Sequence, residues 1–119
     1  MRIRCKGRRP ICELSSLQVG YKNTANLTQQ AAVESSLLST QLGDLNTVTA
    51  TQTGSHEDIV LAQLGVGNSA TASQSGSGNL GVITQAGLAN TGTIAQAGGG
   101  NTAILTQTGT MNTASIMQH

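Results

Sequence analysis

At 119 residues the chain has room for one domain, but with no Phe, no Trp and a single Tyr it has no aromatic-centred core. Five of its six Lys and Arg lie in the first nine positions, and no Asp, Glu, Lys or Arg occurs from Ile59 to His119, so no basic track follows Lys22 for a nucleic acid to use. A long, uncharged, proline-free stretch of Gly, Ala, Ser, Thr, Asn and Gln is instead the composition that favours cross-β stacking.

Residues 1–11 read as an irregular basic segment carrying Arg2, Arg4, Lys6, Arg8, Arg9 and Pro10, the only proline. It has a basic start but no continuous apolar run, so no complete signal peptide is visible. Either the protein stays in the cell or a leader lies upstream of this start. Cys5 and Cys12, with no nearby His, make a poor zinc site. Two readings stay open for them: a local disulfide in an exported chain, or two thiols of no consequence.

From residue 12 onward the chain repeats. Gln41, Gln52, Gln63, Gln74, Gln85, Gln96, Gln107 and Gln118 follow one another at steps of eleven. Six residues before them stand Asn46, Asn68, Asn79, Asn90, Asn101 and Asn112, with Ser35 and Glu57 in the two remaining slots. Two residues after them come Gly43, Gly54, Gly65, Gly76, Gly87, Gly98 and Gly109. Gln18 with Gly20, and Asn23 with Gln29, carry the pattern backwards, with Cys12 in the asparagine slot. Between Gln29 and Ser35 the register slips by one residue, and that loop lacks the glycine. The count is ten half-repeats, which pair into five coils over residues 12–119.

Each half-repeat predicts a seven-residue strand and a four-residue loop, with Gly and Asn supplying the positive φ angles of a tight arc. Side chains alternate along a strand, so the Asn slot, the positions two and four later, and the Gln slot share one face. The middle two are apolar or tiny, as in Val48 and Ala50, Ile59 and Leu61, or Ala103 and Leu105. That face is the expected interior. An unsatisfied buried amide costs about 1–3 kcal/mol. Stacked in register at about 4.8 Å, each amide is expected to bond the identical amide of the next coil. The fold class is therefore all-β, a β-solenoid of about five stacked coils with two short strands per coil and an amyloid-like cross-β character. A helical eleven-residue repeat would be cut repeatedly by Gly and β-branched residues.

Backbone and amide ladders form only where a coil has a neighbour. Monomeric solenoids carry caps, whereas here the last strand runs through Ile116, Met117 and Gln118 to His119 without one. The expectation is head-to-tail growth with the ladder residues as the self-assembly surface. Catalytic readings are weak. Gly76-x-Gly78-x-x-Gly81 matches a dinucleotide fingerprint literally but no helix follows it. His56, Glu57 and Asp58 sit at a loop boundary without a metal partner spacing. No enzyme activity, cofactor, metal or small-molecule substrate is expected.

The motif Asn-x-Ala-x-x-x-Gln-x-Gly-x-x-Asn, carried by Asn101, Ala103, Gln107, Gly109 and Asn112, resembles the curlin repeat of curli-type amyloid subunits over about residues 12–118. The strict eleven-residue step looks more like the minor, nucleating subunit than the major one. The resemblance implies an extracellular, adhesive amyloid fibre of the biofilm matrix. It also implies other curli subunits as partners and secretion through a dedicated outer-membrane pore. One rival reading comes from the outward residues of alternate strands. Thr24, Thr47, Thr49, Thr51, Thr71, Thr91, Thr93 and Thr113 would form ranks on a flat face, as in a monomeric ice-binding solenoid, although threonine is also simply a good exposed strand residue.

Overall fold

A computed structural model describes residues 2–6 and 12–119, with the side chains of 13–30 and 33–119. These residues form eleven strands and no helix. Strands β1 (Arg2–Lys6), β3 (Thr24–Val33), β5 (Thr47–Ser55), β7 (Ser69–Ser77), β9 (Thr91–Gly99) and β11 (Thr113–Gln118) make one sheet, here sheet A. Strands β2 (Cys12–Val19), β4 (Ser35–Asp44), β6 (Asp58–Val66), β8 (Leu80–Leu88) and β10 (Thr102–Thr110) make the second, sheet B. Pairing is parallel throughout, and each strand pairs with the one two places on, as Gln52 with Gln74 and Gln63 with Gln85. A parallel pair needs a crossover of a dozen or more residues. Here the crossover of each sheet is a strand of the other, so the chain is a β-solenoid of five coils, β2–β3 to β10–β11.

The alternation in the sequence sets the interior. In sheet A the inner columns are Ala25, Val48, Ala70, Gly92, Ala114 and Leu27, Ala50, Ala72, Ile94, Ile116. In sheet B they are Leu14, Leu37, Ile59, Gly81, Ala103 and Ser16, Ser39, Leu61, Ile83, Leu105. Small residues leave room for large ones from the other sheet. A Cβ on Gly92 would stand 2.7 Å from Leu105 Cδ2, and one on Gly81 3.0 Å from Gln74 Nε2. The core is thus thin, two sheets deep, and filled by short side chains.

Three features differ from the sequence reading. Strands run to nine residues, through the glycine, because glycine stacks on glycine in register, as Gly54 on Gly76. The arc shrinks to two residues, such as His56 and Glu57. Its left-handed residue is not the asparagine but the one before it: Gly67, Gly78 and Gly100, and also Lys22, Leu45, His56, Ala89 and Met111 at φ 55–58°, 53° for Ala89. Finally, the segment expected to be irregular contains β1, which pairs with β3 and places Ile3 at the register of Leu27 and Cys5 at that of Gln29. Apolar Ile3 and Cys5 alternate with Arg2, Arg4 and Lys6, a period-2 pattern able to join the sheet edge. Residues 1 and 7–11, and the side chains of Cys5 and Cys12 with them, lie outside the described residues. The slip after Gln29 is a one-residue bulge between Gln30 and Val33.

Candidate functional site

The repeating polar residues of the sequence converge on the solenoid interior. Glutamines bond glutamines. Nε2 of Gln41 donates to Oε1 of Gln63 at 3.0 Å, Gln63 to Gln85 at 2.9 Å and Gln85 to Gln107 at 2.8 Å. On the other side Gln52 donates to Gln74 at 3.2 Å, Gln74 to Gln96 at 2.7 Å and Gln96 to Gln118 at 2.9 Å. Every one of these bonds runs from the earlier residue to the later. The second proton of each Nε2 crosses to the opposite sheet: Gln63 donates to the Thr47 carbonyl, Gln85 to that of Ser69 and Gln96 to that of Leu80, at 3.0–3.1 Å. A glutamine therefore ties the two sheets together while holding the next coil.

The asparagines work differently from the expected amide-to-amide ladder. Asn46, Asn68 and Asn90 donate from Nδ2 to the carbonyl four residues back, on Leu42, Leu64 and Ala86. They also donate to Gly65, Gly87 and Gly109 of the next coil at 2.9–3.1 Å. Their Oδ1 accepts from the backbone N–H of the asparagine 22 residues on, as Asn46 from Asn68 at 3.0 Å. One amide-to-amide contact occurs, from Asn90 Nδ2 to Asn68 Oδ1 at 3.2 Å. Asparagine lacks one methylene of glutamine and so reaches the arc backbone, satisfying groups that a tight turn strands.

The glycines stack more tightly than any side chain permits. A Cβ on Gly43, Gly54, Gly65, Gly76 or Gly87 would lie 1.8–2.0 Å from the carbonyl oxygen of the glycine one coil on, and φ there is 109–138°. Gly98 and Gly109 differ, since they are the last glycines of their columns; the nearest atoms to a Cβ there are Asn101 Nδ2 and His119 C at 3.9 Å for Gly98, and Asn112 Nδ2 at 3.3 Å for Gly109. The coil of β10 and β11 leaves other positions short of a neighbour. Gln107 and Gln118 donate from Nε2 to Thr91 and Thr102 carbonyls at 3.0 and 3.1 Å, without the glutamine partner their predecessors have. Asn101 and Asn112 keep the bond four residues back, to Ala97 and Thr108, but not the one to a following glycine.

Glu57 takes an asparagine slot and is fully buried. Its Oε1 accepts from Asn79 Nδ2 at 3.2 Å, while Oε2 is buried without a hydrogen-bond partner. Burial raises the carboxyl pKa above its ordinary value, and hydrogen bonding from Asn79 and from the Thr53 backbone opposes that rise. His56 pairs with Glu34 at 2.8 Å on the exposed arc. The fingerprint-like glycines are absorbed by the coil: Gly76 stacks, Gly78 is left-handed, and Gly81 faces the glutamine ladder.

The family whose pattern matches is the curlin associated repeat, over residues 57–87 and 88–119. The chain belongs to the curlin repeat family. Comparison of the whole chain with curated proteins returns no match. The two matched stretches comprise the last three coils. The earlier curlin-like coils keep the same geometry with Cys12, Ser35 and a bulge where the pattern departs. Family and fold together fit a curli-type structural subunit. Sequence reasoning missed the carbonyl acceptors of the glutamines and the left-handed positions. The second had a signal, since Gly67, Gly78 and Gly100 recur four residues after a glutamine.

Proposed function

We propose that the chain is a self-assembling structural subunit of a curli-like extracellular fibre, growing by end-to-end stacking of solenoid coils. The observation that carries this is the ladder itself. Each coil bonds a like coil through Gln41, Gln63, Gln85 and Gln107 on one sheet and Gln52, Gln74, Gln96 and Gln118 on the other. The bonding uses the same residues at every step, so one coil is a template for the next. A second copy brings strands of the right register. Family membership supports the matrix and adhesion role, the cell-surface location, and other curli subunits and a secretion pore as partners. No catalytic step is assigned to any residue.

The test dilutes denatured chain into buffer and follows thioflavin fluorescence, with electron microscopy and fibre diffraction at the plateau. Fibres with a strand repeat near 4.8 Å are expected; a β-rich chain that stays monomeric sinks the reading. At residue level, Gln107→Leu should slow growth more than the outward Thr106→Leu, and equal slowing would count against the ladder. The threonine columns of sheet A, Thr24 with Thr47, Ser69, Thr91 and Thr113, are also the outward positions of a stacked fibre. Thermal hysteresis of the soluble chain separates the ice-binding alternative from this one.

A further inference from the structure

The two outer faces of the solenoid are chemically unlike. Among the described residues thirteen large hydrophobic side chains are exposed, and only Val33 and Met117 of them belong to sheet A. The other eleven lie on sheet B or in the arcs that leave it. In-register pairing turns them into columns along the stacking axis. Leu38 and Ile104 form one together with the half-buried Val60 and Val82, and Leu42 with Leu64 lie in another. Beside Leu42 and Leu64 runs a column of smaller residues, Thr40, Ala62 and Thr84. The two columns wall a shallow groove of about 280 Å³.

We infer that the outer face of sheet B is a lateral interface with the sheet B face of a second copy, so that two stacks lie side by side. This rests on the stacking reading for its fibre form. A two-fold axis along the stack, centred on the groove, opposes strand directions across the interface and keeps the stacking direction common. Leu42 and Leu64 of each copy then seat on the Thr40, Ala62 and Thr84 column of the other, large against small, in both directions. The acidic positions Glu13 and Asp58 share one column at the strand starts, which this arrangement leaves beyond the margin, and Asp44, in the column of Val66 and Leu88 at the strand ends, accepts from the Tyr21 N–H at 2.7 Å. A second copy is the occupant the columns fit, because its coils repeat at the same spacing; the large-on-small seating falls in the coils of Leu42 and Leu64, while Leu17 and Val19 meet as apolar neighbours in the coil before them.

The area agrees. The Cα extents are 39 × 26 × 12 Å. The shortest is the two-sheet thickness, since stacked sheets lie about 10 Å apart. The broad face, 39 × 26 Å, offers on the order of 1,000 Å² per copy, against about 800 Å² that a standard interface takes from each partner. In a stack the contact recurs with every subunit, so lateral binding strengthens with length.

The experiment compares wild type with Leu42→Lys/Leu64→Lys and with the sheet A control Thr49→Lys/Thr71→Lys. Thioflavin growth and the number of stacks per cross-section by cryo-electron microscopy are both read. Wild type and control should show stacks paired through sheet B. The leucine variant should give single stacks with a growth rate within about twofold of wild type, because stacking uses other residues. Wild-type fibres of one stack, pairing through sheet A, or a leucine variant that still pairs would overturn the inference. Should no fibres form, the stacking reading fails by itself, and sedimentation of the soluble chain decides the lateral one. A wild-type dimer made monomeric by the leucine variant supports it, and a wild-type monomer or a variant that stays dimeric rejects it.

Discussion

The asparagine slots form two columns that share one geometry and differ in chemistry. On the arcs leaving sheet B the column reads Asn23, Asn46, Asn68, Asn90, Asn112; on the arcs leaving sheet A it reads Ser35, Glu57, Asn79, Asn101. In the first, each inner amide closes its arc and reaches the next coil. In the second, Ser35 offers one hydroxyl, which accepts from the Glu57 N–H at 3.1 Å, and Glu57 can donate nothing. The buried side-chain oxygens without a partner among the described residues are on Ser16, Ser39 and Glu57, all in sheet B half-repeats. Backbone pairing holds both columns in register regardless. The stack fixes the shape, then, and the amides set how much of its polar backbone is satisfied.

Copying the flaw into the intact column should have the largest effect. Asn68→Glu removes donors to Leu64 and Gly87 and buries a carboxylate, and should destabilise the fold by roughly 3–5 kcal/mol in denaturant titration. A loss near zero would mean the arc opens to water. The converse change, Glu57→Asn, restores donors to the weak column and should stabilise by about 1–3 kcal/mol at neutral pH.

The same residue makes the columns distinguishable by pH. Because burial raises the folded-state pKa of Glu57, the folded chain binds a proton more tightly than the unfolded one. Its contribution to stability therefore falls as pH rises from the unfolded carboxyl value through the raised folded value, and the full penalty persists above it. Below the unfolded value the penalty is absent. Wild type should lose stability over that window relative to Glu57→Gln, and superimposable pH profiles would refute the burial. The smallest effect concerns the arc itself. Ala89 adopts φ 53°, so Ala89→Gly should relieve left-handed strain and, after the entropy cost of glycine, gain about 0.5 kcal/mol. The same change at Ala103, an inner strand position, should destabilise.

Much of this was legible because a strict period tells which residues are superposed. The inward face and the glutamine ladder follow from the steps of eleven and the alternation of Val48, Ala50, Ile59 and Leu61, whereas the same steps left the glycines in the loops and not stacked within the strands. What a period leaves open is which atoms meet. Asn and Gln look equivalent as amides, yet one methylene sends Asn68 to the arc backbone and Gln63 to the next coil. The left-handed position was hidden because Leu45, His56, Ala89 and Met111 occupy it as well as glycine. Strand β1 was hidden because a run of Arg and Lys reads as charge before it reads as alternation.

The glutamine bonds all run from earlier coil to later coil. The amide dipoles in both columns therefore add instead of cancelling, and the stack is vectorial. One end presents N–H groups, on Gln107 and Gln118, and the other must meet them with oxygen. Two stacks meeting donor end to donor end find no bond. An assembly built this way has a front and a back, and a surface that captures one end orients every subunit that follows.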